Sequence, residues 1–502
     1  KSALQFVPGP GRGAGARLVA HPDVGAVILT GGTGTAWGML KARPDLHLFA
    51  ETGGKNATVV TALSDRELAI KHVVQSAFGH SGQKCSATSL LLLEAEVYDD
   101  GHFKRALSDA VRSMPVGSAW QLESRVGPLI RPPSGDLETA LWTLEPGEHW
   151  AVRPRRHLDN PHLWSPGVKY GVTPGSFTHH TEFFGPVLGV MRFESLAEAI
   201  DLVNQTGYGL TSGLHSLDER EHAQWIASVH AGNLYLNRGT TGAIVLRQPF
   251  GGMGRSVFGP GLKAGGPNYI AQFLQFSDRP DLSAPPDTPI AHPELNTMAS
   301  ALAHPEPGWP PDQAARLHRA LVSFAIQWRD EFSRSHDSMR LLGQDNLRRY
   351  LPFGEIRVRF AAPDTAFDLF ARVAAARVTG ARVVISRALG HPIPCGETWA
   401  QINRSWSDAV AIVEESDAEV AAFLRRQPPH STTRLRYAAP DRVPTEVRAA
   451  AADSAAYVAD EPVVADGRVE LLWYLREQSI SYDYHRYGNL GGRAGEARHE
   501  PI

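Results

Sequence analysis

Apolar and polar positions change period repeatedly along the chain, and each change predicts an element. Residues 24–30 form an apolar, β-branched run that predicts a strand, and Trp37, Met39 and Leu40 open a helix just beyond it. A strand is expected at 57–60. A helix over 65–78 follows, with Leu68, Val73, Val74 and Ala77 on its buried side. Residues 90–94 read as a buried strand, 102–114 as an amphipathic helix, 187–193 as a strand and 196–204 as a helix. Between them, 140–180 is irregular and predicts extended arms or a flap hairpin. From 314 to 332 a helical stripe appears at Leu317, Leu321, Phe324, Trp328 and Phe332. A strand at 355–361, a helix at 367–378 and a strand at 383–386 then complete a βαβ unit. The class is α/β.

Nine prolines between 276 and 312 predict a linker there, so the chain divides into parts on either side of it. A length of 502 residues is enough for two or three domains, and 42% hydrophobic with 21% charged residues is ordinary for a globular protein. A formal net charge of −3 argues against nucleic-acid binding. No apolar run reaches the length of a membrane span, and no signal peptide opens the chain. Two cysteines, Cys85 and Cys395, make no disulfide framework, so a reduced, cytoplasmic setting is expected. The chain starts at Lys1 without an initiator Met and is expected to be a piece of a longer polypeptide.

Chemistry concentrates at Phe78-Gly79-His80-Ser81-Gly82-Gln83-Lys84-Cys85-Ser86-Ala87. Small residues around Cys85 would let a carbonyl approach its thiol, and Lys84 with nearby backbone donors would favour the thiolate. Glu51 precedes Cys85 by 34 residues, with a strand and a helix between. That connection returns both residues to the carboxyl ends of adjacent strands, where a carboxylate can activate water. Gly31-Gly32-Thr33-Gly34, between strand and helix, offers backbone N–H groups to a phosphate. His179-His180 has no third ligand cluster near it, so no metal is expected. Cys395 has no activating context. A hydrolase pairing His80 with Cys85 leaves Glu51 and Glu182 unexplained.

Four runs resemble, in order, the motifs of the aldehyde dehydrogenase superfamily. They are Glu51-Thr52-Gly53-Gly54-Lys55-Asn56, Gly82-Gln83-Lys84-Cys85, Glu182-Phe183-Phe184-Gly185-Pro186 and Pro249-Phe250-Gly251-Gly252. The resemblance covers about residues 1–275. It implies that 1–51 is the end of a Rossmann-like NAD domain whose first strands, with the oxyanion asparagine, precede Lys1. Residues 52–275 would be the catalytic domain. Cys85 would then be the nucleophile and Glu51 the general base. Glu182 would hold the nicotinamide ribose with Phe184 beside it, and Thr30, Gly31, Gly32 and Thr33 would meet the pyrophosphate.

Residues 76–87 and 248–252, with Lys263-Ala264-Gly265-Gly266-Pro267, are similar to the L-glutamate γ-semialdehyde (pyrroline-5-carboxylate) dehydrogenases. This implies an NAD-dependent oxidation to L-glutamate through a cysteine thiohemiacetal and thioester. Ser86, Gly252, Met253 and Phe250 would form the substrate pocket. Residues 342–347, 476–481 and 487–490 resemble the extra domain of long proline utilization A proteins. On that resemblance, 313–502 is an inactive, Rossmann-like dehydrogenase domain with a channel-closing tail. A flavin (FAD) proline dehydrogenase would lie upstream in the same polypeptide, and a homo-oligomer is expected. A different aldehyde specificity, or a non-catalytic assembly or channel piece, stands as the alternative, and activity of the chain alone is left open.

Overall fold

The computed structural model describes residues 3–9, 11–157, 160–279, 289–303, 309–428 and 431–498. The strand Ala26–Thr30 runs parallel to His47–Glu51 in full register, Thr30 opposite Glu51, and the short strand Val257–Phe258 adds antiparallel to its other edge. Two parallel strands joined by the helix Thr33–Ala42 therefore finish at one level, which sets the Gly31-Gly32 turn beside Glu51.

Next comes a nine-stranded sheet. Its order is Gln344–Pro352, Leu475–Asp483, Asn233–Leu236, Thr211–His215, Ala57–Val60, Leu90–Glu94, Val187–Phe193, Gly167–Tyr170 and His149–Val152. The central strands are buried on both faces, as parallel strands covered by helices must be. The helices Arg66–Phe78 and Gly101–Arg112 pack on one side of this sheet, and Leu196–Gln205 and Glu219–Ser228 on the other. Asp65 caps the first of these helices by accepting from the Leu68 N–H at 3.1 Å. The irregular 140–180 stretch does supply an antiparallel pair, His149–Val152 with Gly167–Tyr170, and this pair forms the outer edge of the large sheet.

The proline-rich stretch is less open than its composition predicts. Pro293 starts a helix, Pro293–Leu302, whose Leu295, Met298 and Leu302 are buried, and Pro311 starts the helix Pro311–Gln327. Proline at a first helical position loses no hydrogen bond, so these prolines begin helices. The expected linker positions 280–288 and 304–308 lie outside the described residues.

Beyond this stretch the chain does two things. It forms a five-stranded parallel sheet, ordered Val410–Glu414, Arg382–Arg387, Glu355–Phe360, Thr433–Arg436, Val458–Ala459. With Glu355–Phe360 counted first, this is the 3-2-1-4-5 order of a doubly wound fold. The first helix after its first strand, Ala366–Val378, is closed by a Thr365–Asp368 capping box where a dinucleotide fold would leave open donors. The same segment also returns two strands to the large sheet. Leu475–Asp483 pairs parallel with Asn233–Leu236, and Gln344–Pro352 pairs antiparallel with Leu475–Asp483. The sheet that carries the catalytic motifs thus contains strands from both sides of the linker.

Candidate active site

Cys85 lies in the connection between the helix Arg66–Phe78 and the strand Leu90–Glu94. His80 and Ser81 both take left-handed backbone conformations there, and Gly82 follows at φ +68°. A Cβ at Gly82 would collide with the Gly185 carbonyl, so glycine is required at this close approach. Asn56, buried, spans the loop: its Nδ2 donates to the Cys85 carbonyl at 2.7 Å and to the Ala87 carbonyl at 3.0 Å. Its Oδ1 accepts from the Thr211 N–H at 3.1 Å. On the other flank Thr240 Oγ1 donates to the Ser86 carbonyl at 3.0 Å.

The motif glycines and side chains meet in a cleft of about 830 Å³. Its lining includes Thr30, Gly31, Gly32, Glu51, Cys85, Ser86, Glu182, Phe184 and Phe250, so most residues singled out from the sequence converge there. Thr33 does not line the cleft. Its hydroxyl donates to Thr52 Oγ1 and to the Arg255 carbonyl, both at 3.2 Å. His80 is exposed and absent from the lining, which removes the Cys–His pairing. Both ring nitrogens of His179 are engaged by backbone, Nδ1 accepting from the Gly175 N–H at 3.0 Å and Nε2 meeting the Leu202 carbonyl at 2.9 Å.

The carboxylates are held by backbone donors. Glu51 Oε2 accepts from the Gly252 N–H at 2.9 Å, and burial pushes this carboxyl well above its ordinary range against the pull of Lys263 and that bond. Glu182 Oε1 accepts from the Gly54 N–H at 3.1 Å. Burial raises it to about 7, opposed by the Gly54 bond and Lys55. A Cβ at Gly53 would strike the Glu182 carboxylate, so the double glycine forms the cradle in which that carboxylate lies. Burial also pushes the Cys85 thiol up, and the Glu182 and Glu51 carboxylates add to the effect. The backbone N–H groups of Cys85 and Ser86 act in the opposite direction, toward the thiolate, as expected of donors near the thiol.

One correction concerns the substrate anchor expected at Gly252 and Met253. The Gly252 N–H is committed to Glu51, and Met253 is buried in an antiparallel pair with Gly209. Neither lines the cleft. Gly242 and Ala243, ten residues earlier, do. Gly242 sits at φ +89°, and among the described residues neither N–H has a hydrogen-bond partner. The only sequence signal for this turn is Gly239-Thr240-Thr241-Gly242, which carries no charged or nucleophilic side chain.

A dinucleotide fits this arrangement. The helix Thr33–Ala42 starts at the cleft wall with no side-chain cap on Gly32, so its first N–H groups are open to an anion, and Glu182 faces the same space.

Residues 1–278 match the aldehyde dehydrogenase family. The chain belongs to that family. It is 35% identical over 288 residues to the bifunctional protein PutA of Salmonella typhimurium, a match covering 54% of the chain and 21% of that protein. It is 34% identical over 281 residues to the 1-pyrroline-5-carboxylate dehydrogenase of Bacillus cytotoxicus, covering 54% of each. The structure of proline utilization A from Corynebacterium freiburgense aligns with 95% of the chain and 43% of its own length, at 40% identity and a TM-score of 0.76. A Thermus 1-pyrroline-5-carboxylate dehydrogenase with bound NAD aligns with 54% of the chain and 53% of its own length, at 32% identity and a TM-score of 0.50. The chain therefore spans about a fifth of the bifunctional relative and about half of the monofunctional one. Of these two structures, the first extends over the part of this aldehyde dehydrogenase chain beyond the family match. Among the described residues no helix is long and apolar enough to cross a membrane.

Asn56→Ala would leave the Cys85 and Ala87 carbonyls and the Thr211 N–H without their partner. A loss of stability of about 2–4 kcal/mol is expected in denaturant unfolding. A change below about 0.5 kcal/mol would show that Asn56 does not brace the loop.

Proposed function

We propose that the polypeptide containing this chain oxidises L-glutamate γ-semialdehyde to L-glutamate with NAD, the second step of proline catabolism. The observation that carries this reading is the convergence of Cys85, Glu51 and Glu182 on one cleft with the backbone N–H groups of Gly242 and Ala243, which have no partner among the described residues. The names of the relatives support the substrate, and the NAD-bound Thermus structure supports the cofactor.

The chemistry follows from the groups in place. The Ser86 hydroxyl and the Gly242 and Ala243 N–H groups bind the substrate's α-carboxylate without placing a full charge against it. That pose leaves the aldehyde toward Cys85, whose sulfur attacks the carbonyl carbon and forms the C–S bond of a thiohemiacetal. NAD would be held by Glu182, Phe184 and the Thr30–Gly32 turn and, when bound, takes the hydride from the carbon attached to sulfur. Glu51 removes a proton from water, which attacks the thioester carbonyl. The C–S bond breaks, the thiolate of Cys85 is restored and L-glutamate leaves.

The bifunctional relatives support a flavin proline dehydrogenase upstream in the same polypeptide, and the cysteine usage supports a cytoplasmic location. The test is NADH formation by the encoded polypeptide with pyrroline-5-carboxylate, set against aldehydes that lack an α-carboxylate. A preference for the carboxylated aldehyde is expected. Equal rates on both would remove the assignment of Ser86, Gly242 and Ala243.

A further inference from the structure

Behind the cleft lies a charged group that the reaction above does not use. Lys263 is 1% exposed and lines no part of the cleft. Its Nζ donates to Asn233 Oδ1 at 3.1 Å and, in a shorter contact, to the Gly251 carbonyl. Asn233 Oδ1 also accepts from the Gly251 N–H at 3.2 Å, so both backbone groups of Gly251 are clamped. The next residue, Gly252, donates to Glu51 Oε2 at 2.9 Å. A Cβ at Gly251 would come within 2.8 Å of Glu51 Oε1, and one at Gly232 within 2.6 Å of Lys263 Nζ. The carboxylate, the turn and the ammonium are therefore stacked in direct succession, with no side chain between them.

Lys263 is itself fixed from the far end of the chain. Glu477, 1% exposed on the strand Leu475–Asp483, accepts from the Lys263 N–H at 2.9 Å through Oε2 and from Asn268 Nδ2 at 2.5 Å through Oε1. The groups facing Lys263 are Glu51 and Glu477. Those facing Glu51 are Lys263, Cys85 and Tyr269, and those facing Glu477 are Lys263, Arg348 and Tyr350.

We propose that Lys263 is a positioning residue for Glu51, and that the C-terminal strand holds it through Glu477. Lys263 clamps the Gly251-Gly252 turn whose N–H binds the carboxylate, and it is a buried cation that favours the ionised base. The inference rests on the dehydrogenase reading. It gives the C-terminal strand a part in hydrolysis of the thioester, which is separate from binding of aldehyde or cofactor.

The test is Lys263→Met in the encoded polypeptide, followed by pre-steady-state and steady-state NADH formation across pH. Without the cation, Glu51 ionises at higher pH. The rising limb of the steady-state rate is expected to move up by about one unit, with a loss of about tenfold on that limb. The NADH burst and the KM for the aldehyde should stay within about twofold of wild type, because acylation does not use Glu51 as base. A purely structural role would lower burst and steady state together and leave the pH limb in place, and that result overturns the proposal. Where Lys263→Met does not fold, Lys263→Gln keeps a donor toward Gly251 and removes only the charge. The same shift is expected, and an unmoved limb, or loss of the fold in both variants, assigns Lys263 to stability alone and overturns the inference. A wild-type polypeptide that forms no NADH at all removes the dehydrogenase reading instead, and this inference with it.

Discussion

Cys85→Ala is expected to lower NADH formation by at least about 10³-fold while leaving the fold and NAD binding unchanged, because the hydroxyls and the amine that also line the cleft are far weaker nucleophiles toward an aldehyde than the cysteine sulfur. Alanine fills less space than the thiol and breaks none of the loop's restraints. Those restraints run through the carbonyls of Cys85, Ser86 and Ala87, not through the side chain. Circular dichroism and NAD titration should therefore match wild type. The wild-type thiol has its own signature. Burial and two neighbouring carboxylates push its pKa up, so alkylation of Cys85, followed on its peptide by mass spectrometry, should be slow near neutrality and accelerate with pH. NADH formation retained by the variant within tenfold of wild type would end the nucleophile assignment.

Glu51→Gln separates the two halves of the reaction. The amide keeps the shape and can still accept the Gly252 N–H, but it cannot take a proton from water. A burst of NADH followed by a stall is expected, with the steady rate down about 10²–10⁴-fold. The sign of the pH dependence follows from the direction of the shift. Burial raises the Glu51 carboxyl, so the base form gains population as pH rises through that raised value, and wild-type turnover climbs with it. The variant should lack that climb. An acyl-enzyme trapped by acid quench, heavier than the protein by the substrate acyl group, would identify the stalled species. Equal losses of burst and steady state would place Glu51 in acylation or in structure.

Much of this site was legible in order along the chain because its chemistry is local. Gly53 and Gly54 follow Glu51 after a single residue, and they cradle Glu182 because no Cβ on Gly53 stands in the way of that carboxylate and the Gly54 N–H binds it. Gly82 precedes Cys85 for a related reason, the close approach of Gly185. The anchor expected at Gly252 and Met253 lies outside the cleft, and among the described residues the open N–H groups are those of Gly242 and Ala243. Gly251-Gly252 is the more conspicuous glycine pair, yet its N–H groups point to Asn233 and Glu51 and leave nothing for a ligand. Local composition reports that a turn can present N–H groups. It does not report which groups already have partners.

By itself the sequence determined the α/β class and the helix that follows Asp65, and it marked Cys85, Glu51 and Glu182 as candidates for one site, since each depends on residues close in the chain, on a periodic pattern or on a short motif. Tertiary structure alone decided that Leu475–Asp483 joins the sheet that carries the Cys85 loop and that Glu477, 214 residues beyond Lys263, holds the lysine behind Glu51. Hydrophobic alternation marks a strand as buried on a face. It says nothing of which edge the strand will pair with, because every backbone offers the same hydrogen bonds and the choice is made by the side chains that surround it.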